Sequence, residues 1–202
     1  MLITFEGLDG CGKTTQARAA QAHLESRGKR VHLVREPGGT SLGETVRAQL
    51  LDPDLHISGM AELMLFSAAR AQLVNEVLLP TLDRGDVVLC DRFYDSTLAY
   101  QGGGRGMDVD WLSGFCRRVT GGLTPRRTYL LRISPQAARA RRSGRDEDRM
   151  EQTGEAFAAR VAATYDTLAA RESQRWCVLD AHRSPDELSD VIRTDLDALL
   201  KA

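Results

Sequence analysis

Neither sign of charge is in excess in this 202-residue chain: 27 Lys and Arg face 28 Asp and Glu, for a formal net charge of −1. That balance lacks the electrostatic footprint of a nonspecific nucleic-acid binder, and no nucleic-acid partner is expected. No stretch comes near the roughly 20 apolar residues of a membrane span. The opening MLITFEGLDG has neither the positive head nor the apolar run of a signal peptide, so the expected location is cytoplasmic, with no membrane partner. Cysteine is sparse and scattered. Cys11, Cys90, Cys116 and Cys177 include no pair at the close spacing of a zinc knuckle or redox motif. They read as small buried hydrophobes in a reducing compartment. Repeats, low-complexity tracts and linkers are also missing, which leaves one domain over residues 1–202 as the expectation.

What is present is ordinary in bulk and specific in arrangement. Hydrophobic content of 42% and charged content of 27% suit a soluble globule. A chain this long buries roughly 70% of its unfolded surface, so it needs no covalent staples. Apolar runs at Leu2–Phe5, Val31–Val34, Asp86–Asp91, Tyr129–Ile133 and Trp176–Leu179 read as strands. Between them lie helical stretches: Thr14–Arg27 ended by Gly28, Leu42–Leu51, Met60–Arg84 kinked or interrupted at Pro80, and Ala137–Arg171 broken near 141–149. Ser184-Pro185-Asp186-Glu187 opens the last helix with a capping box and proline at its first position. Such alternation predicts an α/β fold: a parallel sheet of about five strands covered by helices on both faces.

Gly7-Leu8-Asp9-Gly10-Cys11-Gly12-Lys13-Thr14 satisfies G-x-x-x-x-G-K-[ST] in full, followed by Thr15, with a strand before it and a helix after. Its glycines let successive backbone N–H groups turn toward a phosphate, and the helix adds its positive end. Lys13 is expected to reach the β and γ phosphates of ATP, and the Thr14 hydroxyl to ligate Mg²⁺. The dinucleotide spacing G-x-G-x-x-G does not fit. Asp9 lies where a carboxylate repels phosphate, so it serves a hydrated metal or a sugar hydroxyl, or else is a solvated loop residue. Asp91 ends a buried strand, the place of the Walker-B carboxylate that holds Mg²⁺ or its water. Arg92 next to it is either a phosphate ligand or a local salt-bridge partner. Phe66 and Arg70, four residues apart, share one helix face. They are either an aromatic plate and a donor for a flat base, or a core phenylalanine beside a surface arginine. Arg139, Arg141, Arg142, Arg145 and Arg149 crowd one segment, about 139–153. On a helix most such residues make a solvated face, which is expected of at least two of the five; the others suit a mobile arginine-bearing lid that supplies the charge Gly10 leaves absent from the loop and keeps water from ATP. Cys11, beside a helix N-terminus and Lys13, sits where a thiol pKa is expected to fall.

Taken together these residues resemble bacterial thymidylate kinase, a P-loop NTPase family with a three-layer fold. The resemblance rests on Phe5 through Thr15, Arg35-Glu36-Pro37-Gly38-Gly39-Thr40, Phe66 through Arg70, Asp91-Arg92-Phe93 with Ser96 and Thr97, Tyr100-Gln101-Gly102-Gly103-Gly104-Arg105, and Asp148-Arg149-Met150-Glu151. It implies transfer of the γ-phosphoryl group of MgATP to dTMP, in a homodimer. It further implies that Asp9 and Glu36 lie near the acceptor's sugar and phosphate, that Arg92 clamps that phosphate, and that Phe66 stacks on thymine. Arg70 is then the donor to the base carbonyl, Ser96, Thr97 and Gln101 are base contacts, and Tyr100 crowds the sugar 2′ position. Arg141, Arg142, Arg145 and Arg149 match the family's arginine-bearing lid, and Arg141, Arg145 and Arg149 are its implied catalytic residues, alongside Lys13, Asp9 and Arg92. Two competing readings share the loop. One is a kinase for another nucleoside monophosphate or a deoxynucleoside, differing at Phe66, Arg70 and Tyr100. The other is a nucleotide-dependent switch, which turns over slowly without an acceptor.

Overall fold

The computed structural model describes residues 1–144 and 148–201. Five strands, β1 (Leu2–Glu6), β2 (Val31–Arg35), β3 (Val87–Asp91), β4 (Arg127–Arg132) and β5 (Trp176–Asp180), form one parallel sheet in the order β2-β3-β1-β4-β5. Each predicted strand is present, within two residues at either end. The register pairs Phe5 with Asp91 and Arg35 with Asp91, so the chain leaves β1, β2 and β3 at the same level. Glu36 N–H donates to the Asp91 carbonyl (3.0 Å) and Arg92 N–H to the Phe5 carbonyl (3.0 Å). The glycine-rich loop, the Glu36-Pro37 turn and the Asp91-Arg92 corner therefore meet at the carboxyl ends of the strands, where open α/β sheets bind ligands.

The strand alternation sorts the core. Leu2, Val88 and Cys90 pack with Leu73, Val74 and Leu78 on one face. Ile3, Phe5, Val87 and Leu89 belong to a larger cluster with Ala17, Ala20 and Leu24. The helices are α1 (Lys13–Ser26), α2 (Ser41–Leu51), α3 (Gly59–Leu73), α4 (Leu79–Asp83), α5 (Tyr94–Thr97), α6 (Val109–Val119), α7 (Pro135–Ala140), α8 (Glu155–Arg171) and α9 (Pro185–Leu199). Side chains of Thr40, Ser58, Asp108, Ser134 and Ser184 cap α2, α3, α6, α7 and α9, the last through the expected capping box. α1 instead starts at Gly12 with no side-chain cap, which leaves its first N–H groups open to a ligand.

Two helical runs carry a π turn. Val74–Leu78 joins α3 to α4 just before Pro80, whose missing N–H makes that the cheapest place to widen the helix. Leu98–Gly104 continues α5, a segment the sequence reading left unassigned along with α6. Its glycines admit α8 at close range: a Cβ on Gly103 would overlap Thr164, and one on Gly104 would meet the Phe157 ring at 2.5 Å. That approach carries Tyr165 of α8 beneath the Asp91-Arg92 corner.

Candidate active site

The glycine-rich loop is folded around a lysine. Lys13 is buried, and its Nζ donates to the Gly7 (3.2 Å) and Leu8 (3.0 Å) carbonyls, with Asp9 Oδ1 at 3.9 Å. Thr14 Oγ1 donates to Asp91 Oδ2 at 2.5 Å, which joins the two predicted metal ligands. Gly10, Gly12, Lys13, Thr14, Thr15 and Asp91 line one open channel. The Cys11 thiol is pushed up, not down: burial outweighs the Lys13 charge, so the expected lowering is reversed.

A neighbouring pocket is lined by Glu36, Pro37, Phe66, Arg70, Ser96, Thr97, Tyr100 and Gln101, together with Leu51 and Met150. Phe66 is half-buried at its wall, whereas Arg70 is among the most buried side chains of the molecule. Arg70 is therefore no surface partner of a core phenylalanine. Its Nε donates to Glu36 Oε2 (2.7 Å), its Nη1 to Thr97 Oγ1 (2.9 Å) and its Nη2 to the Phe93 carbonyl (3.3 Å). Burial pushes the Glu36 carboxyl up in spite of Arg70, and Glu36 Oε1 is left buried with no hydrogen-bond partner. An orphaned carboxylate oxygen in a pocket wall calls for a donor from a ligand.

Between channel and pocket stands Arg92. Its φ of 71° is the one positive value among non-glycine residues described, a conformation that costs roughly 1–2 kcal/mol. The strain is held by a fan of contacts. Arg92 Nη2 donates to Asp9 Oδ1 (2.7 Å) and Tyr100 Oη (3.0 Å), Nη1 donates to Ser96 Oγ (3.0 Å), and the guanidinium lies 4.9 Å above the Tyr100 ring. Beneath it Glu6, fully buried, accepts from Phe93 N–H (2.7 Å), Ser96 Oγ (2.6 Å) and Tyr165 Oη (2.8 Å). Burial and the Asp95 charge push Glu6 up to about 7, against the pull of Arg92 and the Ser96 and Tyr165 hydroxyls. For Asp9 burial acts upward, but the Arg92 and Lys13 charges outweigh it and hold the carboxyl well below the usual range.

The arginines of segment 139–153 fall into separate places. Arg141 donates to the Ala181 carbonyl (2.7 Å), at a pocket it shares with Gly10, Gly12, Thr15 and Arg183. Arg149 is drawn away from the loop, with its Nη1 on Glu62 (2.7 Å) and its Nε on the Leu50 carbonyl (2.9 Å). Arg145 lies outside the described residues. The arginine set against the loop is Arg142: its stem lies 3.0 Å from the position of a Cβ on Gly10, and its charge acts on Asp9. Gly10, at φ 86°, would carry that Cβ 2.6 Å from the Ala138 carbonyl. A side chain on the loop and a lid in this position are thus mutually exclusive, which is the physical reason for glycine there.

Comparison with known proteins agrees with this geometry. The thymidylate kinase family profile matches residues 5–192. The chain belongs to the thymidylate kinase family. It is 49% identical over 189 residues to a thymidylate kinase of Deinococcus radiodurans, covering 93% of this chain and 92% of that one. It is 46% identical over 206 residues to one of Pelotomaculum thermopropionicum (98% and 95%), and 44% identical over 201 residues to one of Thermomicrobium roseum (98% and 95%). The thymidylate kinase motifs account for most of both pockets, and four contributors went unread in the sequence. Arg47 donates to the Pro37 carbonyl (3.0 Å) and lines both pocket and channel. Glu6 and Tyr165 support Arg92, and Glu62 gathers Gln101, Arg105 and Arg149. Only Glu6, a carboxylate at the end of a buried strand, gives itself away in the sequence.

Proposed function

We propose that the chain is an ATP-dependent nucleoside monophosphate kinase that transfers the γ-phosphoryl group of ATP to dTMP, giving dTDP and ADP. The observation that carries this reading is a shared wall. Asp9, Glu36, Arg47, Arg92 and Asp148 line both the loop channel and the aromatic-sided pocket, so phosphates entering from the two sides meet there. A phosphate oxygen of the acceptor is already anionic, so the chain's task is to position the two nucleotides and neutralise their charge. Lys13 exchanges its loop carbonyls for the β and γ phosphates of ATP, while Arg92 and Arg47 hold the acceptor phosphate. Arg142 supplies lid charge at the transferring group, with Arg141 and Arg183 near the far end of ATP. Arg145 and Arg149 are further lid candidates. Asp9 fixes Arg92 and Tyr100, Phe66 provides the stacking face, and Arg70, Ser96, Thr97 and Gln101 provide polar contacts to the base. Tyr100 Oη, held by Asp9 and Arg92, leaves the ring to press on the sugar.

Thr14 and Asp91 form a hydroxyl–carboxylate pair of the kind that suits Mg²⁺, which takes one or two protein oxygens and completes its shell with phosphates and water. When bound, the ion would supply charge neutralisation to the phosphates of ATP. The same reading includes a homodimer, supported by Met60 and Met64 exposed on one face of α3 and by Trp111, half-exposed on α6 and stacked on Phe115. No helix among the described residues is long and apolar enough to cross a membrane, and the cytoplasm, where both nucleotides are found, is the proposed location.

The deciding experiment follows ADP formation from MgATP with dTMP, dUMP, AMP, CMP, GMP and thymidine supplied separately. Strong stimulation by dTMP, weaker by dUMP, is expected. ADP release that ignores every acceptor overturns the kinase reading in favour of a switch.

A further inference from the structure

We infer that Glu62 is a positioning residue that sets the acceptor-base preference by locking the Gln101 side-chain amide in one orientation. The inference rests on the reading of the Phe66–Arg70 pocket as the dTMP site. Glu62 lies in the first turn of α3 and is fully buried. Its Oε1 accepts from Gln101 Nε2 (2.9 Å) and Arg105 Nε (3.2 Å), and its Oε2 from Arg105 Nη2 (2.9 Å) and Arg149 Nη1 (2.7 Å). Burial acts to raise this carboxyl, but hydrogen bonds from Arg105, Gln101 and Arg149 hold it below its usual value, so it is ionised at neutral pH.

An ionised carboxylate can only accept hydrogen bonds, whereas an amide has one donating and one accepting end. Glu62 therefore requires the NH₂ of Gln101 on its own side. The carbonyl oxygen is left as the end available to the pocket, and among the described residues it has no protein donor. Gln101 is itself buried, with little freedom beyond a flip of the amide. A thymine ring offers an N3–H donor to that carbonyl. Cytosine presents a lone pair at N3, so the same carbonyl repels it. Glu62 thus discriminates between bases that it does not touch, by making one of the two amide orientations costly. Arg70 still favours a carbonyl over an amino group at the base 4-position, so losing Glu62 relaxes the preference without abolishing it.

The test compares kcat/KM for dTMP and dCMP in the parent and in E62Q, whose amide can both donate and accept. The dTMP-to-dCMP preference is expected to fall by about tenfold, through a lower kcat/KM for dTMP and a higher one for dCMP. A merely structural role lowers both values together and keeps their ratio, and that result overturns the assignment. If the parent itself does not prefer dTMP, the acceptor reading fails first and the role of Glu62 falls with it. Should E62Q not fold, neutron diffraction of the unmodified protein with dTMP gives the same decision. Deuterium on the Gln101 atom facing Glu62 supports the assignment, and oxygen there overturns it.

Discussion

The two halves of the site are built in opposite ways. The donor side is built mainly from one stretch, Gly7 to Thr15, whose lysine is held by carbonyls five and six residues away, with Asp91 joining it at Thr14. The acceptor side is assembled over long separations: Arg70 meets Glu36 across 34 positions, Arg92 meets Asp9 across 83, and Arg149 meets Glu62 across 87. Local geometry fixes the first by backbone alone, with one charge to place. The second depends on buried ion pairs, each of which is safe only while both partners are present. The difference teaches where mutation separates chemistry from stability. On the donor side a side chain can be lost with the fold intact, and on the acceptor side it cannot.

Arg70→Ala should sharpen that contrast most. It strands Glu36 in the interior and is expected to cost roughly 3–5 kcal/mol of stability, read from urea unfolding. A loss under about 1 kcal/mol would remove the ion pair from the account. Lys13→Ala is the counterpart. Turnover should fall by about 10²–10³-fold with little change in melting temperature, because only a preorganised charge for the phosphates is lost. A variant with near-normal turnover breaks the donor assignment.

Glu6 gives a pH-dependent test of the hinge between the halves. Its proton, held up to about 7 in the folded chain against 4.5 as the ordinary value, is retained on folding where the unfolded chain has released it. Stability from this group is therefore complete below about pH 4.5 and is lost as pH rises toward 7. In Glu6→Gln that slope disappears, so the melting temperature of the variant should gain on the parent across the window. A constant offset between the two curves contradicts the Glu6 account. A smaller effect is expected from Gly10→Ala, whose new Cβ meets the Ala138 carbonyl. About 1–3 kcal/mol of strain should be relieved by displacing the lid, and it should appear as faster ATP hydrolysis without acceptor. The weakest case is Arg132→Ala, which removes an exposed pair with Asp166. It should change stability by less than about 1 kcal/mol.

The same contrast explains what could be read from the sequence. Strands and the last helix's cap were legible because apolar runs and capping act within a few residues, as in Leu2–Glu6 and Ser184–Glu187. So was the donor loop, for which backbone conformation is nearly the whole specification. Gly102-Gly103-Gly104 carries no helical signal yet lies in a helix, because the approach of Thr164 and Phe157 from α8 sets its conformation. Arg149 matched a lid motif, but its position is decided by Glu62, 87 residues earlier. Arg141 rather than its neighbour Arg142 was read as a catalytic candidate, and it is the fold that turns Arg142 toward Gly10 and Arg141 toward Ala181. Residues whose partners are distant in sequence carry no local mark of their role.

The most direct test of the shared wall follows the label from ATP carrying ³²P at the γ position, incubated with the protein, Mg²⁺ and dTMP. Label recovered at the β phosphate of dTDP, in step with ADP, is the predicted result. Label recovered as inorganic phosphate, with dTMP unchanged, would mean that the two halves do not exchange a phosphoryl group and would contradict the account.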